Sequence, residues 1–194
     1  MAPSSAPIEW ARLREDAIGA VAVLAEQLDD IEAPNQNILD AYIFAKSLLA
    51  QAMQALIRTD LPENYPPFHE MRKRLGDEIA KRYGDRISEV YLTVPYGSRV
   101  HEQLFTLLLM HSPEPVTAAL LRVVTADSVH AERRTRELRE LGLQIKMAKA
   151  GGSETYALES LELDPAMIPA IIKNNIRAKG PGPGTDQLLR ELGF

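Results

Sequence analysis

The sequence predicts a mainly α-helical protein that carries one short β-hairpin. Three observations predict it. Apolar residues recur at three-and-four spacing over most of the chain, the period of an amphipathic helix. Alternation with a period of two is clearest over residues 143–160, around Gly151-Gly152, and weak over 87–94. Aromatic residues make up 6% of a composition that is 45% hydrophobic, so the core is mainly Leu, Ala, Ile and Val, and Ala and Leu favour helices.

The 194 residues suffice for one large domain or two small ones. The expected organisation is a helical domain over 8–86 (a helical hairpin plus a third helix), a connector over 87–99 and a second domain over 100–163. A C-terminal helix over 164–179, a Pro/Gly linker over 180–184 and a short helical tail over 185–194 follow. Met1–Pro7, with small residues and two prolines, reads as disordered. Ile8 to about Ile31 is the first helix, striped by Trp10, Leu13, Ala17, Val21, Leu24, Leu28 and Ile31. Ala33-Pro34-Asn35 breaks it. Asn35 or Asn37 caps a second helix to about Thr59, striped by Ile38, Tyr42, Ala45, Leu49, Met53 and Leu56. So short a break makes the pair an antiparallel hairpin, and its stripes a packed core or the seam of a homodimer. Three prolines within 60–67 make a loop. The third helix, Phe68–Tyr83, turns Phe68, Met71, Leu75 and Ile79 inward and Arg72, Lys73, Arg74, Lys81 and Arg82 outward. Ile87–Val94 reads as a weak strand or an extended connector, and 95–98 as a turn.

Arg99–His111 is then a helix burying Leu104, Leu107 and Leu108. Val116 and Thr117 resemble a helix start, with Thr117 as cap. Ala118–Val124 is a short apolar helix with Leu120, Leu121 and Val124 for the core. Asp127 or Ser128 caps the next helix, Ser128–Leu141. Ala131, Thr135, Leu138 and Leu141 share one of its faces, with Arg134 at the border. Val129, Glu132, Arg133, Arg136 and Glu140 share the other. Gly142 suits a left-handed cap. Leu143, Ile145 and Met147 alternate with polar or small residues, and Thr155–Ser160 returns with Tyr156 and Leu158 inward. The order helix, turn, helix, strand, glycine turn, strand is that of a winged helix-turn-helix with a two-stranded wing.

Charge is concentrated there. Between Arg122 and Lys149 lie seven basic residues and four acidic ones, in a chain of formal charge -5. Arginine on a helix can pair with guanine in the major groove, and wing lysines can reach phosphates. The candidate DNA-binding residues are therefore Ser128, His130, Arg133, Arg134, Arg136 and Arg139 on the helix, with Lys146 and Lys149 on the wing. The same charges also stand four apart as Glu132/Arg136, Arg133/Glu137 and Arg136/Glu140, the pattern of an ordinary solvated helix.

The run AERRTRELRELGLQI, followed by a glycine pair and ETYALES, resembles the winged-helix modules that accompany HNH-type and other nucleases in bacteria and phages. The resemblance covers about residues 100–163. It implies DNA contact through Arg133, Arg136 and the wing lysines. Thr135 departs from the pattern, standing where a larger apolar residue is expected.

Beyond the wing, Asp164-Pro165 caps a helix that Pro169 is expected to shorten or kink. Residues 180–184 alternate Gly and Pro, and Thr185 caps the tail. Its Leu188, Leu189, Leu192 and Phe194 need a surface to dock on, either in this chain or on a protein partner.

Several classes are excluded or left without a motif. No cysteine is present, so disulfides, zinc ribbons and thiol nucleophiles are excluded, which suits a reducing cytoplasm. No apolar run approaches the length of about 18 residues that a membrane span needs. His69, His101, His111 and His130 lack metal-ligand spacing. The nearest nuclease-like fragment, Gln144-Ile145-Lys146, lies in the expected wing. The expectation is a non-catalytic, cytoplasmic, homodimeric protein that binds double-stranded DNA without cofactor or metal. The alternative is an assembly or adaptor subunit of a bacterial or phage complex, whose winged helix and tail bind a protein.

Overall fold

A computed structural model of the chain describes residues 5–62, 65–127, 131–180 and 182–194. Helices α1 (Ser5–Asp29), α2 (Asn35–Asp60), α3 (Pro66–Tyr83) and α4 (Arg99–His111) are followed by strand β1 (Val116–Thr117). Then come α5 (Ala118–Val124), α6 (Ala131–Glu140), β2 (Gln144–Ala150), β3 (Ser153–Ser160), α7 (Ile168–Ala178) and α8 (Pro183–Glu191). The protein is mainly helical, with one small antiparallel sheet. Two compact units emerge, Met1–Asn64 with Ala118–Ala131, and Tyr65–Thr117 with Glu132–Phe194. The division therefore does not follow the expected boundary. Helix α3 clusters with the second unit and α5 with the first.

In the first unit, α1 begins at Ser5, so residues 5–7 are helical rather than disordered. Pro7 falls in the first turn, where amides have no intrahelical acceptor and proline is tolerated. Helix α1 and α2 meet along Leu13, Ala17, Ala52 and Ala55, with Trp10 and Leu48 packed alongside. This corrects the expected stripes. Val21, Leu28, Tyr42, Leu49, Met53 and Leu56 stand exposed, and Ile31, past the end of α1, is 96% exposed. The physical reason is that alanine lets two helices approach closely, toward the lower end of the ordinary 8–10 Å spacing. Larger residues flanking such a seam have no third layer above them. Pro34, rather than Asn35 or Asn37, precedes α2, and no side chain caps it. Helix α5 rests on α2, where Gln54 Nε2 donates to the Val124 carbonyl at 2.6 Å and Lys46 Nζ lies 3.4 Å from Asp127. Ala126 and Asp127 adopt left-handed φ values of 52° and 55° and close α5, with the Asp127 amide donating to the Arg122 carbonyl at 2.8 Å.

The second unit has a denser core. Phe68, Met71, Leu75 and Ile79 of α3 are buried as expected, and the Phe68 ring lies 5.3 Å from that of Phe105. Helix α4 buries His101 and every residue from Gln103 to Leu108, so it is enclosed on all sides. A helix with that burial belongs at a centre rather than a surface. The sheet runs β1-β3-β2, all antiparallel, with Val116 opposite Tyr156 and Ile145 opposite Leu158. Strand β1 lies where a helix start was expected, since two residues are too few to show a period. Residues 87–94 form no strand but contain a 3-10 turn at Glu89–Tyr91. Ile145, Tyr156 and Leu158 point to the core, but Met147, expected inward, is 51% exposed. Gly151 and Gly152, at φ 59° and 83°, make the left-handed pair that a two-residue hairpin turn needs.

After the sheet, Asp164 Oδ1 accepts from the Ala166 amide at 2.9 Å, the expected cap, and opens a 3-10 turn at Pro165–Met167. Pro169 sits in the first turn of α7 and introduces no kink. Helix α8 starts at Pro183, inside the expected linker, and packs on α7. Leu188, Leu189, Leu192 and Phe194 are half-buried, and Lys173 Nζ lies 6.0 Å from the Phe194 ring centre. Among the described residues no helix is long and apolar enough to cross a membrane.

Candidate nucleic-acid interface

Helix α6 is amphipathic in the sense the sequence requires. Thr135, Leu138 and Leu141 are buried, while Arg133 and Arg136 are exposed. Glu132 and Glu140, expected on the outer face, are half-buried. Ser128, Val129 and His130 lie outside the described residues.

The arginines are not equivalent. Glu137 is buried, at 5% exposure, and gathers the first two. Arg133 Nε donates to its Oε1 at 3.1 Å, and Arg134 Nη1 to its Oε2 at 2.9 Å. Arg139 is half-buried. Arg136 is exposed, and nothing among the described residues engages it. On the hairpin, Lys146 Nζ lies 3.4 Å from Glu159. Lys149 is exposed and unengaged, in register with Glu154 beside the glycine turn. The free positive charge of this surface therefore reduces to Arg136 and Lys149, with Arg133 as a tethered third.

Beneath α6 lies a polar chain that was not foreseen. Ser98 Oγ stands 2.7 Å from His101 Nδ1, and His101 Nε2 stands 2.9 Å from Glu137 Oε2. Burial pushes His101 below its ordinary value of 6.5, against the pull of Glu137 in the opposite direction. The neutral ring then donates from Nε2 to Glu137 and accepts at Nδ1 from the Ser98 hydroxyl. Burial pushes the Glu137 carboxyl up, but hydrogen bonds from His101 and Arg134 outweigh it and hold it below the carboxylate range. Alongside, Tyr96 OH donates to Glu140 Oε2 at 2.6 Å, and its ring lies 5.7 Å from that of His101. Burial, then the Glu140 bond, push the Tyr96 phenol up to about 12. Tyr96 itself takes a left-handed φ of 59°. Arg72 braces that turn from α3 by donating to the Val94 carbonyl at 2.7 Å and to the Pro95 carbonyl.

Hydroxyl, imidazole and carboxylate in series are also the parts of an activated nucleophile. Two features favour positioning instead. Ser98 is the residue before α4, three positions from His101, and its hydroxyl makes no cap bond but fixes the ring against the start of its own helix. Two arginines share the carboxylate that would orient the ring. The cavities of about 220 and 310 Å³ in this unit are lined by residues other than Ser98. The network has no local sign in the sequence, where Glu137 stands as the i+4 partner of Arg133 on a solvated helix face.

The second basic face, on α3, is largely spent on structure. Arg72 holds the turn just described. Arg82 pairs with Glu78 at 2.7 Å and reaches the Pro165 carbonyl at 3.2 Å, and Arg74 reaches that of Leu161 at 3.4 Å. No protein-family profile, characterised protein or solved structure matches this chain.

Proposed function

We propose that the stretch 99–160, which has the element order of a winged helix-turn-helix, binds duplex DNA through α6 and the β2–β3 hairpin of the second unit. The outer face of α6 enters the major groove, and the β2–β3 turn lies on the flanking backbone. The observation that carries the reading is the order and pairing of elements. A helix, a strand, two helices and a hairpin follow in turn, and the first strand joins the hairpin through its second strand. That leaves one face of the last helix free, and on it Arg136 is exposed and unengaged. Beyond Ile145 both faces of β2 are exposed, so the ribbon carries Lys149 outward. No reaction is assigned, and DNA would be met in the cytoplasm. The adaptor reading has less support, because the apolar side of α8 is already half-buried on α7.

The test is a fluorescence-anisotropy titration of duplex DNA pools at several salt concentrations. Arg136→Ala with Lys149→Ala is expected to weaken binding by about tenfold or more and to reduce the salt slope by about 2. Wild-type protein that fails to bind at low salt sinks the proposal.

A further inference from the structure

We infer that the first unit pairs with a second copy of itself, α1 against the partner's α1, running antiparallel. This goes beyond DNA binding and does not depend on it. Exposure is the first support. Thirteen of the seventeen exposed large hydrophobic residues lie in α1, α2 and the connection between them, among the described residues. Five of them, Ile18, Val21, Tyr42, Leu49 and Met53, line one side of the hairpin. Single soluble domains rarely leave contiguous apolar patches above a few hundred Å² open.

Shape is the second. A trough follows the α1–α2 seam. At one end it is a cavity of about 330 Å³ that includes Trp10, Ala11 and Ile18. It continues as one of about 270 Å³ between Ile18, Val21, Leu49 and Met53. It widens to about 460 Å³ where Leu24, Leu49 and Met53 face α5. Neighbouring stretches share residues, so the trough is continuous along the hairpin and suits a helix.

Charge decides what fills it and which way round. From Glu15 to Ala45 there is no lysine or arginine, but there are seven carboxylates. Five of them, Glu26, Asp29, Asp30, Glu32 and Asp40, cluster at the hairpin tip. The cations Arg12, Arg14, Lys46 and Arg58 lie toward the open end. Arg12 pairs with Asp16 at 3.0 Å, Lys46 with Asp127 at 3.4 Å and Arg58 with Glu9 at 3.7 Å, leaving Arg14 on the trough wall. Two copies side by side in the same direction would bring acidic tips together. An antiparallel pair moves each acidic tip away from the other and toward the partner's open end, with Glu26 about one helical turn from the partner's Arg14. A two-fold interface of this kind is self-complementary, as isologous contacts must be.

The chain has no cysteine, so cross-linking reports cleanly on geometry. Ile18 lies mid-helix, and Ala11 and Ala25 lie seven residues to either side, all three exposed. Sedimentation of the full chain at micromolar concentration is expected to give twice the chain mass. Under mild oxidation Ile18→Cys should cross-link to itself. Ala11→Cys and Ala25→Cys should cross-link when mixed but not alone. Arg14→Glu should weaken self-association about tenfold, and Glu26→Lys in the same chain should restore it. A monomer throughout overturns the inference and leaves the trough to an apolar ligand or another protein. Self-cross-linking of Ala25→Cys without the mixed product overturns the antiparallel arrangement, as does an Arg14→Glu variant that associates normally.

Discussion

The two units solve the problem of burial in opposite ways. The first closes two long helices over alanines and leaves its large side chains outside, with Phe44 at 58% and Ile43 at 61% exposure. The second puts its large side chains inside, with Phe68 and Phe105 at 0 and 1%, and adds a buried polar chain from Ser98 to Glu137. Both are rich in apolar residues, so composition does not separate them. What separates them is the number of layers. A helical hairpin has one seam, and only the smallest residues make it. Helices around a sheet leave room for aromatic rings. A unit of the first kind leaves its flanks open to be covered, while one of the second kind buries its large side chains within itself.

Truncating one ring in each unit should break the comparison most visibly. Phe105→Ala is expected to cost about 3–5 kcal/mol in urea unfolding, the ordinary loss for a fully buried phenylalanine. Phe44→Ala, the same chemistry on the exposed side of α2, should stay within about 0.5 kcal/mol. Equal losses would mean that Phe44 is covered in solution. A smaller effect is expected from enlarging the seam. Ala52 is fully buried between α1 and α2, and Ala52→Leu should cost about 1–3 kcal/mol by forcing the helices apart. A neutral result would show that the hairpin closes on its large residues after all.

The same contrast explains what the sequence revealed. Helices α2, α3 and α4, the glycine turn and the Asp164 cap were legible, because each rests on local periodicity or local turn chemistry. The inward face of the hairpin was legible only in part, at Leu13, Ala17 and Ala45. A stripe scored by hydrophobicity favours Leu49 and Met53 over Ala52 and Ala55, whereas close helix packing favours the alanines. Strand β1 was missed because Val116 owes its extended backbone to pairing with Tyr156, a partner far along the chain. On the candidate interface the arginines were legible as a group, but their ranking was not. Which of them is free depends on Glu137, and Glu137 is buried because α4 supplies His101 to receive it. That is a tertiary fact without a local trace.

The smallest expected effect tests that polar chain through pH. Burial lowers the affinity of His101 for its proton in the folded state, and the nearby Arg134 and Arg72 charges act in the same direction. Its contribution to stability is therefore whole above the ordinary histidine value of 6.5 and is lost as pH falls from there. Glu137 is held below its ordinary value of 4.5, so its contribution persists lower and is lost as pH falls beneath that point. Two windows result, the upper belonging to the imidazole and the lower to the carboxylate. His101→Gln keeps a donor directed at Glu137 but does not titrate. Unfolding midpoints measured from pH 7 downward should lose their slope in the upper window and keep it in the lower. An unchanged upper slope would place the titrating group elsewhere and remove His101 as the neutral link that holds α6 to α4.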